Sequence, residues 1–114
     1  TESSGIFTFP ATGYWLITFI ATWYLNGSSK WLEADIQSTT NDSAYVNPSE
    51  TYSHITQSES ATTYATATGQ IVFDVTDTAN CKFKFKTYYS AQNNVLQGGG
   101  YNYSGFDVIR LADT

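Results

Sequence analysis

The run Tyr14-Trp15-Leu16-Ile17-Thr18-Phe19-Ile20-Ala21-Thr22-Trp23-Tyr24-Leu25 is the longest apolar stretch in the chain. Its length suits a buried helix as well as a strand. Its β-branched and aromatic content, set between turns, predicts a strand. Residues 6–10 read as a short strand before it, with Gly13 as a turn signal, and Asn26-Gly27-Ser28-Ser29 reads as a hairpin turn after it. Residues 30–38 alternate, with Leu32, Ala34 and Ile36 on one face and Trp31, Glu33, Asp35 and Gln37 on the other. Residues 39–50 are polar and read as a loop, 51–57 as a weak strand, and 63–68 as a strand ending at Gly69. Ile71, Phe73 and Val75 mark the next strand, and residues 77–80 a turn. Residues 81–89 alternate most cleanly, with Phe83 and Phe85 facing one way and Lys82, Lys84 and Lys86 the other. A loop over 93–102 contains Gly98-Gly99-Gly100, and 103–111 is the last strand. No helix is predicted. Short strands separated by turns imply an antiparallel sandwich or barrel.

Two strands are apolar on both faces. Trp15, Ile17 and Phe19 form one face of the long run; Tyr14, Leu16 and Ile20, with Thr18 between them, form the other. In the last strand Phe106 and Val108 oppose Tyr103, Ile109 and Leu111. One face fills a sandwich core, and the second needs a cover, because each large side chain buried is worth roughly 1.5–3 kcal/mol. Self-association supplies that cover; a loop of the same chain would serve as well.

Composition narrows the class. The 114 residues fit one domain, residues 1–114, and the 41% apolar content can build a core. Aromatics at 17% and charged residues at 13% exclude disorder and coiled coil. The net charge of −5 argues against nucleic acid, and no apolar run reaches the ~18 residues expected of a membrane span. A single cysteine, Cys81, leaves no internal disulfide. A chain opening on Thr1 rather than Met is expected to be a processed product or the C-terminal part of a longer polypeptide.

Four blocks resemble a known family. Gly5-Ile6-Phe7-Thr8-Phe9-Pro10-Ala11-Thr12-Gly13-Tyr14-Trp15-Leu16 resembles the early strand pair of the tumour necrosis factor-like and complement-q globular-head jelly rolls. Gly69-Gln70-Ile71-Val72-Phe73-Asp74-Val75 is similar to their late glycine-led strand, and Cys81-Lys82-Phe83-Lys84-Phe85 to the strand after it. Tyr103-Ser104-Gly105-Phe106 resembles the aromatic-Ser-Gly-Phe opening of their final strand. The ending Ile109-Arg110-Leu111-Ala112-Asp113-Thr114 also looks like the ends of marine phage structural proteins. The resemblance implies an all-β, two-sheet antiparallel jelly roll of about ten strands, assembled as a homotrimer. It places Tyr14, Leu16 and Thr18 towards the three-fold axis, with Tyr103, Gly105 and Ile109. Ile20, on the same strand face as Leu16, joins this interface. Asp107 falls on that face as well and fits it poorly. The family's first strand is missing or reduced to residues 1–4, to be supplied by a neighbouring segment of the parent chain.

Chemistry-bearing residues are sparse. His54, the single histidine, lies among Ser and Thr and reads as solvated, and Cys81 as a structural thiol. One His and one Cys cannot make a zinc site, and ten scattered carboxylates do not single out a glycosidase pair. Asp74 and Asp77 flank a turn where ordinary turn chemistry is the stronger reading over a bound cation. The Gly98-Gly100 run precedes no helix and is no phosphate cradle. The row Lys82, Lys84, Lys86 is expected to pair across strands with Glu33 and Asp35, with binding of an anionic glycan or lipid as the other reading. Asn26, Asn41 and Asn102 open sequons.

These readings predict a non-enzymatic trimeric head of a virion fibre or stalked surface protein, located on a virion or extracellular surface. It would attach to a glycan or protein receptor. Tyr45, Asn47, Asn94 and Tyr101, in polar loops, are the candidate receptor contacts. No cofactor, no metal, no nucleic acid partner and no membrane insertion is expected. The competing readings are a monomeric carbohydrate-binding module using exposed Trp23 or Trp31, a purely structural virion component without a ligand, and, least supported, an enzyme.

Overall fold

The computed structural model describes residues 1–90, 95–96 and 103–114. Among these, the elements are β1 (Glu2–Ser3), β2 (Ile6–Thr8), β3 (Gly13–Leu25), β4 (Ser29–Thr39), β5 (Val46–Ile55), β6 (Thr63–Val75), β7 (Lys82–Tyr89), β8 (Val95–Leu96) and β9 (Gly105–Ala112), with no helix. They form two antiparallel sheets, a β-sandwich. One sheet has the order β1-β2-β7-β4-β5; in the other, β3 lies between β6 on one side and β8 and β9 on the other.

Strand alternation explains the sandwich. Trp15, Ile17, Phe19, Ala21 and Trp23, the odd positions of β3, are buried. From the facing sheet Leu32, Ala34, Ile36, Ile55 and Phe83 meet them. Aromatic rings join the layers: Phe19 stacks on Phe85 at 4.5 Å between centroids, and Phe9 touches Trp15, Phe73 and Phe83. Cys81 is buried and free.

Three elements differ from the sequence expectation, the first being β8, a short strand at Val95–Leu96 inside the 93–102 stretch expected to be loop. Strand β6 runs unbroken from Thr63 to Val75, through Gly69. A Cβ at Gly69 would lie 2.6 Å from Ser49 Oγ, so the glycine there allows β5 of the other sheet to approach rather than ending the strand. Strand β5 begins at Val46, inside the stretch expected to be loop. It is an edge strand, and Pro48 falls at the register shift between the Ile36–Ser49 and Ser38–Val46 pairs, where proline is tolerated. The turn before β3 does follow expectation. Gly13 has φ of 141°, and a Cβ would meet the Ala112 carbonyl oxygen at 2.5 Å. The bulged end of β9 crosses at that point, and Arg110 donates to the Thr12 carbonyl at 3.0 and 2.8 Å.

Candidate functional site

Three surface regions carry the chemistry. The first is the outer face of the sheet built on β3. Register places Val72, Leu16 and Ile109 in one row across β6, β3 and β9, with Tyr14 one row away towards Gly13. Val72, Ile109 and Leu111 are more than half exposed and Tyr14 is 39% exposed, while Leu16 and Ile20 are half-buried among their neighbours. A polar row interrupts the patch: Gln70 Nε2 donates to Thr18 Oγ1 at 2.9 Å, and Asp107 stands opposite Thr18 on the other side. Tyr103 and Gly105 sit at the end of this face near Thr22. The Thr22 N–H donates to Ser104 Oγ at 3.0 Å, and its hydroxyl donates to the Tyr103 carbonyl at 2.7 Å. Ser104 thus bridges the stretch of β3 between its pairings with β8 and β9.

The second region is a cleft of about 360 Å³ at the β2–β9 side of the sandwich, lined chiefly by Phe7, Phe9, Trp15, Phe83, Phe106 and Val108. Phe106 packs on Phe7 and Phe85 yet remains 45% exposed, so the core is open to solvent on this side.

The third region is the outer face of the five-stranded sheet. Glu33 and Asp35 point outward from β4, and Glu50 stands directly opposite Asp35 on β5. One oxygen from each of the three carboxylates lies within 4.8 Å of the others. Glu50 is held by Asn47 Nδ2 at 2.9 Å and by the Tyr52 hydroxyl at 3.3 Å. Asp35 is 1% exposed, and among the described residues neither of its oxygens has a hydrogen-bond donor. The Glu33 carboxylate lies within hydrogen-bonding reach and becomes a partner only when one of the two is protonated. Burial, the Glu33 carboxyl and the Glu50 charge push the Asp35 carboxyl up to about 6. The Tyr52 phenol is also held above its ordinary value, by desolvation and by the charges of Glu33 and Glu50.

The expected cross-strand ion pairs between the lysine row and Glu33 or Asp35 do not form. Strands β4 and β7 are neighbours as expected, and Lys86 lies opposite Asp35. The lysines bend away instead. Lys84 sits 4.0 Å from the centroid of the Tyr45 ring, Lys86 sits 5.0 Å from that of Tyr88, and Lys82 pairs with Asp42. An aromatic face holds an ammonium ion without requiring its full desolvation.

Other sequence expectations are placed as follows. Tyr45 is half-buried beneath Lys84, and Asn47 lies on β5, not in a loop, where it accepts from Gln37 Nε2 at 2.7 Å. Asn94 and Tyr101 lie outside the described residues, as do Gly98-Gly100 and the sequon residue Asn102. Trp23 is 1% exposed, because odd positions of β3 face the core, so it cannot stack on a sugar; Trp31 is half-buried. His54 is exposed. Asp77 accepts from Ala79 N–H and Asn80 Nδ2, which holds its carboxyl below the ordinary range as turn chemistry requires. The acidic cluster was missed in the sequence. Its only visible signal is a pair of acids two residues apart on an outward strand face, and Glu50 joins them through strand register alone.

No protein-family model and no curated protein matches this sequence.

Proposed function

We propose that this chain is a jelly-roll head that assembles as a homotrimer through the outer face of the β6–β3–β9 sheet. In this reading it is a non-enzymatic module on a virion fibre or stalked surface protein and serves attachment to a surface receptor. The row Val72–Leu16–Ile109, continued by Tyr14, carries the reading. It is an apolar strip on a sheet face whose opposite side already fills the core, and large exposed patches of this kind mark association sites.

The strand order supports a jelly roll. The pairs β4–β5, β3–β6 and β2–β7 nest inside one another, as when a long hairpin is rolled into two sheets. Strand β9 then lies beside β3, and its far side is where the first strand of an eight-stranded jelly roll would run. An added strand there would roof the cleft over Phe106 and Val108. The trimer, as opposed to a dimer, follows from the resemblance that sets Tyr14, Leu16 and Thr18 on a three-fold axis with Ile20, Tyr103 and Ile109.

Sedimentation equilibrium at micromolar concentration tests the assembly. The expected mass is three times the 12.6 kDa chain, and Leu16→Asp with Ile109→Asp is expected to give a folded monomer. A wild-type monomer overturns the reading. Attachment is tested by a glycan array with the trimer, in which Tyr45→Ala is expected to weaken any specific signal.

A further inference from the structure

We propose that Glu33, Asp35 and Glu50 form a binding site for a hard divalent cation, Ca²⁺ in preference to Mg²⁺, on the outer face of the five-stranded sheet. The primary observation is Asp35. Its carboxylate is 1% exposed and has no donor on either oxygen among the described residues, and such a group is costly unless something positive meets it. The nearest protein cation does not serve. Lys86 stands opposite in register but lies over Tyr88, and Lys84 and Lys82 are engaged with Tyr45 and Asp42. The carboxylates of Glu33, on its own strand, and Glu50, on the next, lie closest to Asp35, and the Lys86 charge acts on it without forming an ion pair.

Geometry and donor type select the ion. All three ligand groups offer oxygen, which suits hard cations and gives no hold to soft ones. No two of the oxygens are more than 4.8 Å apart. Ca²⁺ takes about six to eight oxygens in flexible geometry at about 2.3–2.6 Å, which strand-borne carboxylates completed by water can supply, whereas Mg²⁺ demands near-ideal octahedral geometry at about 2.0–2.1 Å. The ligands are also pre-positioned. Glu33 and Asp35 alternate on one strand, Glu50 faces Asp35 across a ladder, and Asn47 and Tyr52 fix Glu50. Exposed Glu50 leaves one side of the cluster open, so the ion can enter and keep water ligands.

The test is thermal unfolding of the EDTA-treated full chain at pH 7.5 with added CaCl2 or MgCl2. Ca²⁺ at a hundredfold its Kd is expected to raise Tm on the order of 10 °C, and Mg²⁺ at the same concentration less. Tb³⁺ bound at the site is expected to show luminescence sensitised by Tyr52. Asp35→Asn and, separately, Glu50→Gln are expected to abolish both responses, while Glu59→Gln, far from the cluster in sequence and exposed, keeps them. Asp35→Asn removes a buried charge, and Glu50→Gln gives an independent comparison at an exposed position. An unchanged wild-type Tm with Ca²⁺, or an equal rise in Glu50→Gln, overturns the proposal. A larger rise with Mg²⁺ overturns the ion preference.

Discussion

Asp35 and Lys86 lie directly opposite one another on adjacent strands, and their charges do not pair. Lys86 rests over Tyr88, and Asp35 is left among Glu33, Glu50 and Tyr52. Cation-free protein should therefore show an unusual pH dependence. The folded-state value of about 6 lies above the ordinary 3.8, so between those values the folded chain holds a proton that the unfolded chain has lost. Stability then falls as pH rises from about 4 through about 6, and acidification restores it. Urea titrations in EDTA at pH 5 and pH 7.5 should show this trend in wild type, and Asp35→Asn should flatten it. A wild-type profile that rises between those two values would contradict it.

Ser104 has a backbone role. Its hydroxyl accepts from the Thr22 N–H on the side of β3 between the β8 and β9 pairings, β6 pairing with Thr22 on the other side, and Thr22 is 9% exposed. Ser104→Ala leaves that donor unsatisfied and is expected to cost about 1–2 kcal/mol in urea unfolding. A neutral Ser104→Ala would show that water replaces the hydroxyl.

Gly13 and Gly5 make a controlled comparison. Both have positive φ, but a Cβ at Gly13 would strike the Ala112 carbonyl, and one at Gly5 meets nothing within 4 Å. Gly13→Ala is expected to destabilise by roughly 2–4 kcal/mol and Gly5→Ala by about 1 kcal/mol or less. Chemical denaturation of both variants checks the ranking.

The tryptophans separate the same way. Trp23→Ala empties a core position and is expected to cost about 3–5 kcal/mol. Trp31→Ala, on the outward face of β4, is expected to cost about 1 kcal/mol or less. Comparable losses in the two variants would mean that Trp31 carries packing that its half-buried position does not suggest.

The sequence made the long elements legible because period-2 patterning reports burial directly. Tyr14 to Leu25 and the Phe83, Phe85 alternation needed no other information, and the buried odd face of β3 follows from them. Gly69 misled because a glycine marks a turn and a close approach with the same letter; only the position of Ser49 on the other sheet tells them apart. The start of β5 was hidden because an edge strand needs few apolar residues and tolerates Pro48. The acidic cluster was hidden for a different reason. It depends on the register that sets Glu50 against Asp35, and residues 15 apart in sequence carry no local sign of meeting. The lysine row was assigned to the right neighbouring strand, but the tyrosines that draw the ammonium groups away were not visible in the pattern.

Strand β3 has consequences for how the domain comes into being. It lies between β6 and β9, and Arg110 bonds to the Thr12 carbonyl across 98 residues of chain. Such a ladder closes only after nearly the whole polypeptide has been gathered, so folding belongs with the slow, millisecond-to-second class of β proteins. During synthesis, Ile17 and Phe19 must wait for β9 to emerge, and a chain stopped before Gly105 would present one side of β3 as a bare template for other strands.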